Sequence, residues 1–229
     1  MQKLKTEATK ITKALNLKWT PIAGKFSDST ENERSLTRKL SICNALSLAK
    51  NENLVIALSK ENCTCSGGRH FTGLEIAPIE TLAPSLTTKT HKVFDSAETA
   101  IKSVRKQPQP THRGNYFTLG PLEEFKTNPD LVFLFATPAQ ADRMLGLISY
   151  EGAEPFMYYP ASSICSTITN VLAKNQPEIN LISTFERKAG KWSPNELVVA
   201  MPYKHFEEAV KNIPKSGYGT LENTPHKTS

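Results

Sequence analysis

No stretch of this 229-residue chain is apolar enough to span a bilayer. Its first residues, MQKLKTEATKITKALNLKW, lack the apolar core of a secretory signal, so the chain is expected to remain in the cytoplasm. Structural disulfides are disfavoured there, so the four cysteines read as thiols or ligands before they read as bridges. The chain has no G-x-S-x-G, no P-loop and no dinucleotide fingerprint, so no motif argues for hydrolysis, nucleotide binding or hydride transfer. Zinc-finger, RNA-recognition and basic-zipper patterns are also missing. The 28 basic residues are scattered and offset by 22 acidic ones, and a net charge of +6 without a basic stripe argues against nucleic acid as a partner.

What is present describes an ordinary globular protein. A hydrophobic fraction of 38% and a charged fraction of 22% suffice for a buried core without disulfide staples. Leu4, Ala8, Ile11 and Leu15 recur at helical spacing and predict an amphipathic first helix. Thr20–Ser27 reads as a strand, and Leu36, Leu40, Cys43 and Leu46 place a helix over Leu36–Lys50. Leu54–Leu58 has strand length, and Ser96 caps a helix running to Lys106. YFTLGPL reads as a strand, and Ser162 or Ser163 caps a helix beginning near Cys165.

Two segments echo one another. Pro129–Gly152 and Asn195–Gly217 both run from an acidic residue and Leu-Val into an apolar strand, a proline (Pro138, Pro202) and an amphipathic helix. The expected fold is therefore α/β or α+β, a mixed sheet flanked by helices, either a single unit or two related β-α subdomains sharing one core. The expected division is one domain over residues 1–213, with a candidate subdivision near 107–115, and a flexible polar tail over 214–229.

The chemistry centres on the cysteines. Cys43 falls on a helix, Cys63 and Cys65 in the loop Cys63-Thr64-Cys65-Ser66-Gly67-Gly68, and Cys165 near a helix start. Thiolates suit iron–sulfur clusters, zinc and copper(I), and Gly67, Gly68 and Arg69 would let backbone N–H groups and a cation approach a cofactor. Spacing alone leaves this reading open beside a plainer one, buried cysteines acting as small hydrophobes. C-x-C strains an internal disulfide, which disfavours a redox dithiol. His70, beside Arg69, is equally readable as a loop residue. His91, His112, His205 and His226 share no metal-triad spacing, Lys25 suits a solvated strand edge, and Glu123-Glu124 and Glu207-Glu208 suit solvated helix faces. No catalytic residue is assigned.

PIAGKF, LSICNALSLA, CTCSGGRHFTGL, PDLVFLFATPAQADRMLGLISYEG, ASSICS and ELVVAMP follow one another in an order that resembles the domain-of-unknown-function family numbered 169. The likeness runs from about Leu17 to Ile213 and implies three gathered thiols, at positions matching Cys43, Cys65 and Cys165, with Cys63 extra to the pattern and Arg187 matching an arginine before the last strand. It implies a metal-binding protein holding an iron–sulfur cluster, [4Fe–4S] as the leading form and zinc as the alternative. Three cysteine ligands would leave one iron open to a small-molecule or sulfur-containing substrate, and Cys63 as a fourth ligand would close the cluster. The rival readings are a non-catalytic zinc- or copper-handling protein and a metal-free domain for small ligands. Neither a membrane nor a nucleic acid is expected as partner, and the oligomeric state is not legible.

Overall fold

A computed structural model of the chain describes residues 2–29, 36–84, 94–151 and 163–220. Alternation of apolar side chains builds one six-stranded sheet in the order β2-β3-β1-β4-β6-β5. Its strands are β1 (Ile22–Ser27), β2 (Ile56–Leu58), β3 (Tyr116–Pro121), β4 (Leu131–Ala136), β5 (Glu178–Asn180) and β6 (Leu197–Pro202). Among the described residues every strand pair is antiparallel, and parallel pairing is confined to two isolated bridges, Leu36 with Ile56 and Leu40 with Cys63. The α/β or α+β expectation holds, with the sheet antiparallel across its named strands. Strands from either side of residues 107–115 pair directly, β1 with β3, so both parts of the chain contribute to one sheet.

The period-two alternation within each strand feeds two cores. On β4, Leu131, Phe133 and Phe135 face one core while Val132, Leu134 and Ala136 face the other. The first core packs beneath α2 (Ile42–Glu52), α3 (Ser66–Thr72) and α7 (Ile164–Lys174). The second packs beneath α1 (Gln2–Leu15), α6 (Pro138–Ile148) and α9 (Tyr203–Asn212). The remaining helices are α4 (Ile79–Leu82), α5 (Ala97–Arg105), α8 (Thr184–Gly190) and α10 (Gly217–Thr220). Among the described residues no helix is long and apolar enough to cross a membrane.

The echoed segments lie side by side: β4 and β6 pair over their full lengths, and α6 packs on α9. Pro138 opens α6 behind a Thr137–Gln140 capping box, whereas Pro202 ends β6 and sits one residue before α9. The predicted helix over Leu36–Lys50 starts later, at Ile42, because Ser41 caps it by accepting the Asn44 N–H at 3.1 Å. Leu36 and Leu40, which share the helical spacing, spend their backbone groups on the two bridges instead. Residues 214–220, expected within the flexible tail, pack on the domain. Within 214–220 Ser216 is buried, the Tyr218 ring covers Gly146, and Arg143 Nε donates to the Tyr218 carbonyl at 2.9 Å. Residues 221–229, Ser162, Gly152, His91 and His226 lie outside the described residues.

Candidate functional site

All four cysteines lie on one side of the sheet and are free thiols. Three are set at the starts of helices by local sequence. Cys43 is the second residue of α2, behind the Ser41 cap. Cys65 is itself the cap of α3, its Sγ accepting the Gly68 N–H at 3.3 Å. Cys165 is the second residue of α7, behind Ser163, whose hydroxyl accepts the Ser166 N–H at 3.2 Å.

Tertiary contacts then gather them. The Leu40 N–H donates to the Asn62 carbonyl and the Thr64 N–H to the Leu40 carbonyl, so the cysteine loop is laced to the residue two before Ile42. Helices α3 and α7 pack together, and the Thr169 hydroxyl donates to the Phe71 carbonyl. In the result, the Cys43 and Cys65 thiols are side-chain neighbours of the Cys165 thiol. These neighbours, together with complete burial, push its pKa well above the ordinary thiol value.

Cys63 stands beside this group with a different attachment. Its Sγ donates to the Cys65 carbonyl at 3.8 Å, and burial is the main cause raising its pKa to about 11. Arg69 opposes that rise electrostatically, but its guanidinium is already engaged. It donates to the Cys63 carbonyl at 3.2 Å and pairs with Glu75 at 2.7 Å, so it fastens the loop.

The paired glycines differ in role. A Cβ on Gly68 would lie 2.9 Å from Ile42 Cγ1, 3.2 Å from Cys63 Sγ and 3.3 Å from Cys65 Cβ. Gly68 is therefore what allows α3 to approach the start of α2. A Cβ on Gly67 would meet only Cys65 Sγ, at 3.9 Å.

The cysteine pattern did not reveal Glu186. Buried at the start of α8, it completes a capping box with Ser183 and also accepts the Ile164 N–H, the first of α7, at 2.5 Å. One carboxylate thus anchors two helix starts next to Cys165. Burial raises its pKa despite these hydrogen bonds. The Ser183-x-x-Glu186 spacing was the available signal for the box, although nothing in it indicated α7. His70 is buried, with Nδ1 accepting the Ala77 N–H at 3.2 Å. Arg187 holds backbone carbonyls of Leu181, Ser193 and Glu196 and lies with α8, not with the thiols.

Soft donors gathered in this way suit a thiophilic metal. Among the described residues, however, no set of three or more His, Cys, Asp or Glu side chains stands ready-made around an ion.

No solved structure matches the chain. The uncharacterized protein MJ0308 of Methanocaldococcus jannaschii is 24% identical over 186 residues, which are 80% of this chain and 80% of the relative. The signature of the family described as "Uncharacterised ArCR" matches residues 10–212, a span that holds the whole sheet and every cysteine. The chain belongs to that family, the domain-of-unknown-function family numbered 169.

Proposed function

We propose that the protein binds an iron–sulfur cluster through Cys43, Cys65 and Cys165. The observation that carries this reading is the convergence of three thiols from three separate segments, with the other two as neighbours of Cys165. Two thiols would serve a disulfide, and a third suits a soft metal centre. Cys63 is left out because its sulfur is directed at a backbone carbonyl. A cytoplasmic setting is part of the proposal, since it keeps the thiols reduced.

Loading must replace thiol protons, so binding falls as pH falls, and the raised pKa of Cys165 opposes its deprotonation. The chain's own contribution is to hold the sulfurs in place. The Ser41 and Ser163 caps, the Glu186 carboxylate and the Leu40 bridge fix the three segments. With three ligands, a cluster would supply an iron open to a small or sulfur-containing substrate.

A second reading is a mononuclear zinc or copper(I) ion held by the same thiols. Sulfurs around tetrahedral zinc stand only about 3.8 Å apart. A four-iron cluster spreads its ligand sulfurs to roughly 6–7 Å. Anaerobic purification, a visible spectrum, and iron, sulfide and zinc assays separate the two readings. Iron and sulfide in equal amounts with broad absorbance near ~400 nm support the cluster. A colourless protein with stoichiometric zinc supports the single ion. A protein that takes up neither metal after anaerobic reconstitution refutes both.

A further inference from the structure

Two of the helices that begin at the thiols, α3 and α7, line a cavity of about 310 Å³. Its floor is apolar, with Phe26 from β1, Phe71 from α3, and Ile168 and Leu172 from α7. The exposed Gln109 and Arg113 stand on its rim, in the loop that precedes β3. Among the described residues Arg113 is the one formally charged side chain lining the cavity, and no carboxylate lines it. Arg113 also has no ion-pair or hydrogen-bond partner among them.

The rim loop is fixed at two points. A Cβ on Gly73, which has φ +76°, would fall 2.2 Å from the Thr111 carbonyl oxygen, and His112 Nδ1 lies 3.1 Å from the Gly73 carbonyl. Gly114, at φ +154°, brings the loop against the Ser27 backbone, where a Cβ would lie 2.7 Å from the Ser27 oxygen. The backbone on either side of Arg113 is thus set before any ligand arrives, which lowers the ordering cost of binding.

We infer that this cavity binds a small organic monoanion, a carboxylate carried on an apolar body, with Arg113 receiving the carboxylate and Phe26 and Phe71 covering the body. A guanidinium matches a carboxylate bidentately, and a single cation with no second one beside it suits one negative charge better than two. The volume is at the small end for ligand pockets and fits a body of about one ring. Ile168 on the floor lies three residues beyond Cys165, about 4.5 Å along the helix. A ligand here would therefore sit one turn from the thiols. The inference concerns ligand capture and stands whether or not those thiols hold a metal.

The test uses 3-phenylpropionate as probe and 3-phenylpropan-1-ol as its uncharged counterpart, each titrated into the full chain by calorimetry and followed by amide chemical shifts. The expected result is a dissociation constant of about a millimolar or tighter for the acid. Binding of the alcohol should be at least tenfold weaker, with shifts concentrated at Phe71, Thr169 and Arg113. Arg113→Gln, checked for an unchanged melting temperature, should weaken the acid at least tenfold and leave the alcohol unaffected. Ala173→Phe, which fills the cavity from its exposed rim, should abolish both. Equal binding of acid and alcohol, no loss in Arg113→Gln, shifts elsewhere on the surface, or no binding of the acid at about ten millimolar would each overturn the inference.

Discussion

Replacing each of the paired glycines by alanine separates a steric role from a conformational one at adjacent positions of one short helix. Alanine in place of glycine within a helix stabilises by ~0.5–1 kcal/mol. Gly67→Ala should gain about that amount, because its new methyl meets only Cys65 Sγ at 3.9 Å. Gly68→Ala has the same conformational gain but forces a methyl to 2.9 Å from Ile42 Cγ1 and 3.2 Å from Cys63 Sγ. Ile42 is fully buried in the core and has no free direction in which to retreat. Overpacking of this kind costs ~1–3 kcal/mol. The conformational terms cancel between the two variants, leaving Gly68→Ala about 2 kcal/mol the less stable. For a chain of this size that is a gap of ~4–8 °C in melting temperature. Thermal unfolding of both variants under reducing, metal-free conditions measures it. Equal melting temperatures, or a more stable Gly68→Ala, would show that α3 does not press on α2 as described.

Further expectations follow from contacts outside the thiol group. Deleting everything after Ile213 removes the Tyr218 ring from Gly146 and the carbonyl acceptor from Arg143, and should cost ~1–3 kcal/mol. An unchanged melting temperature would show that α10 adds nothing to the domain. Burial raises the Glu186 pKa above its ordinary value of 4.5, so the folded protein holds that proton more tightly than the unfolded chain does. The contribution is fully present below pH 4.5 and is lost as pH rises through the folded value. The stability of the wild type relative to Glu186→Gln should therefore fall with rising pH across that window. Denaturant titrations of the two proteins at matched pH would show it, and a difference that grows with pH would contradict the sign.

The elements were legible where a local rule acts on a local signal. Leu4, Ala8, Ile11 and Leu15 gave α1 by periodicity, Ser96 gave the start of α5, and the two Leu-Val runs gave β4 and β6. Periodicity misled at Leu36 and Leu40, because helical spacing cannot reveal that a backbone group will be claimed by a distant partner such as Ile56 or Cys63. The tail misled for a similar reason. Gly217 and Gly219 suggest disorder, yet what docks the segment is a small partner, Gly146, far away in sequence. The gathering of Cys43, Cys65 and Cys165 was legible only through the family pattern, since their separations along the chain encode nothing about sheet order. The engagement of Arg69 with Glu75 and the Cys63 carbonyl was not legible, because it depends on loop conformation. The cavity was illegible altogether, being assembled from four segments with no shared motif.

The central claim is that Cys43, Cys65 and Cys165 form one ligand set and that Cys63 stands apart from it. The direct measurement is the iron and sulfide content of the four single Cys→Ala variants after anaerobic reconstitution beside the wild type. Cys63→Ala should keep the wild-type content, because the neighbours of the Cys165 thiol are Cys43 and Cys65 while Cys63 turns to a carbonyl. Each of the other three variants should lose most of its iron and sulfide. If Cys63→Ala loses the cluster while Cys65→Ala retains it, or if the content is independent of all four cysteines, the ligand set proposed here is contradicted.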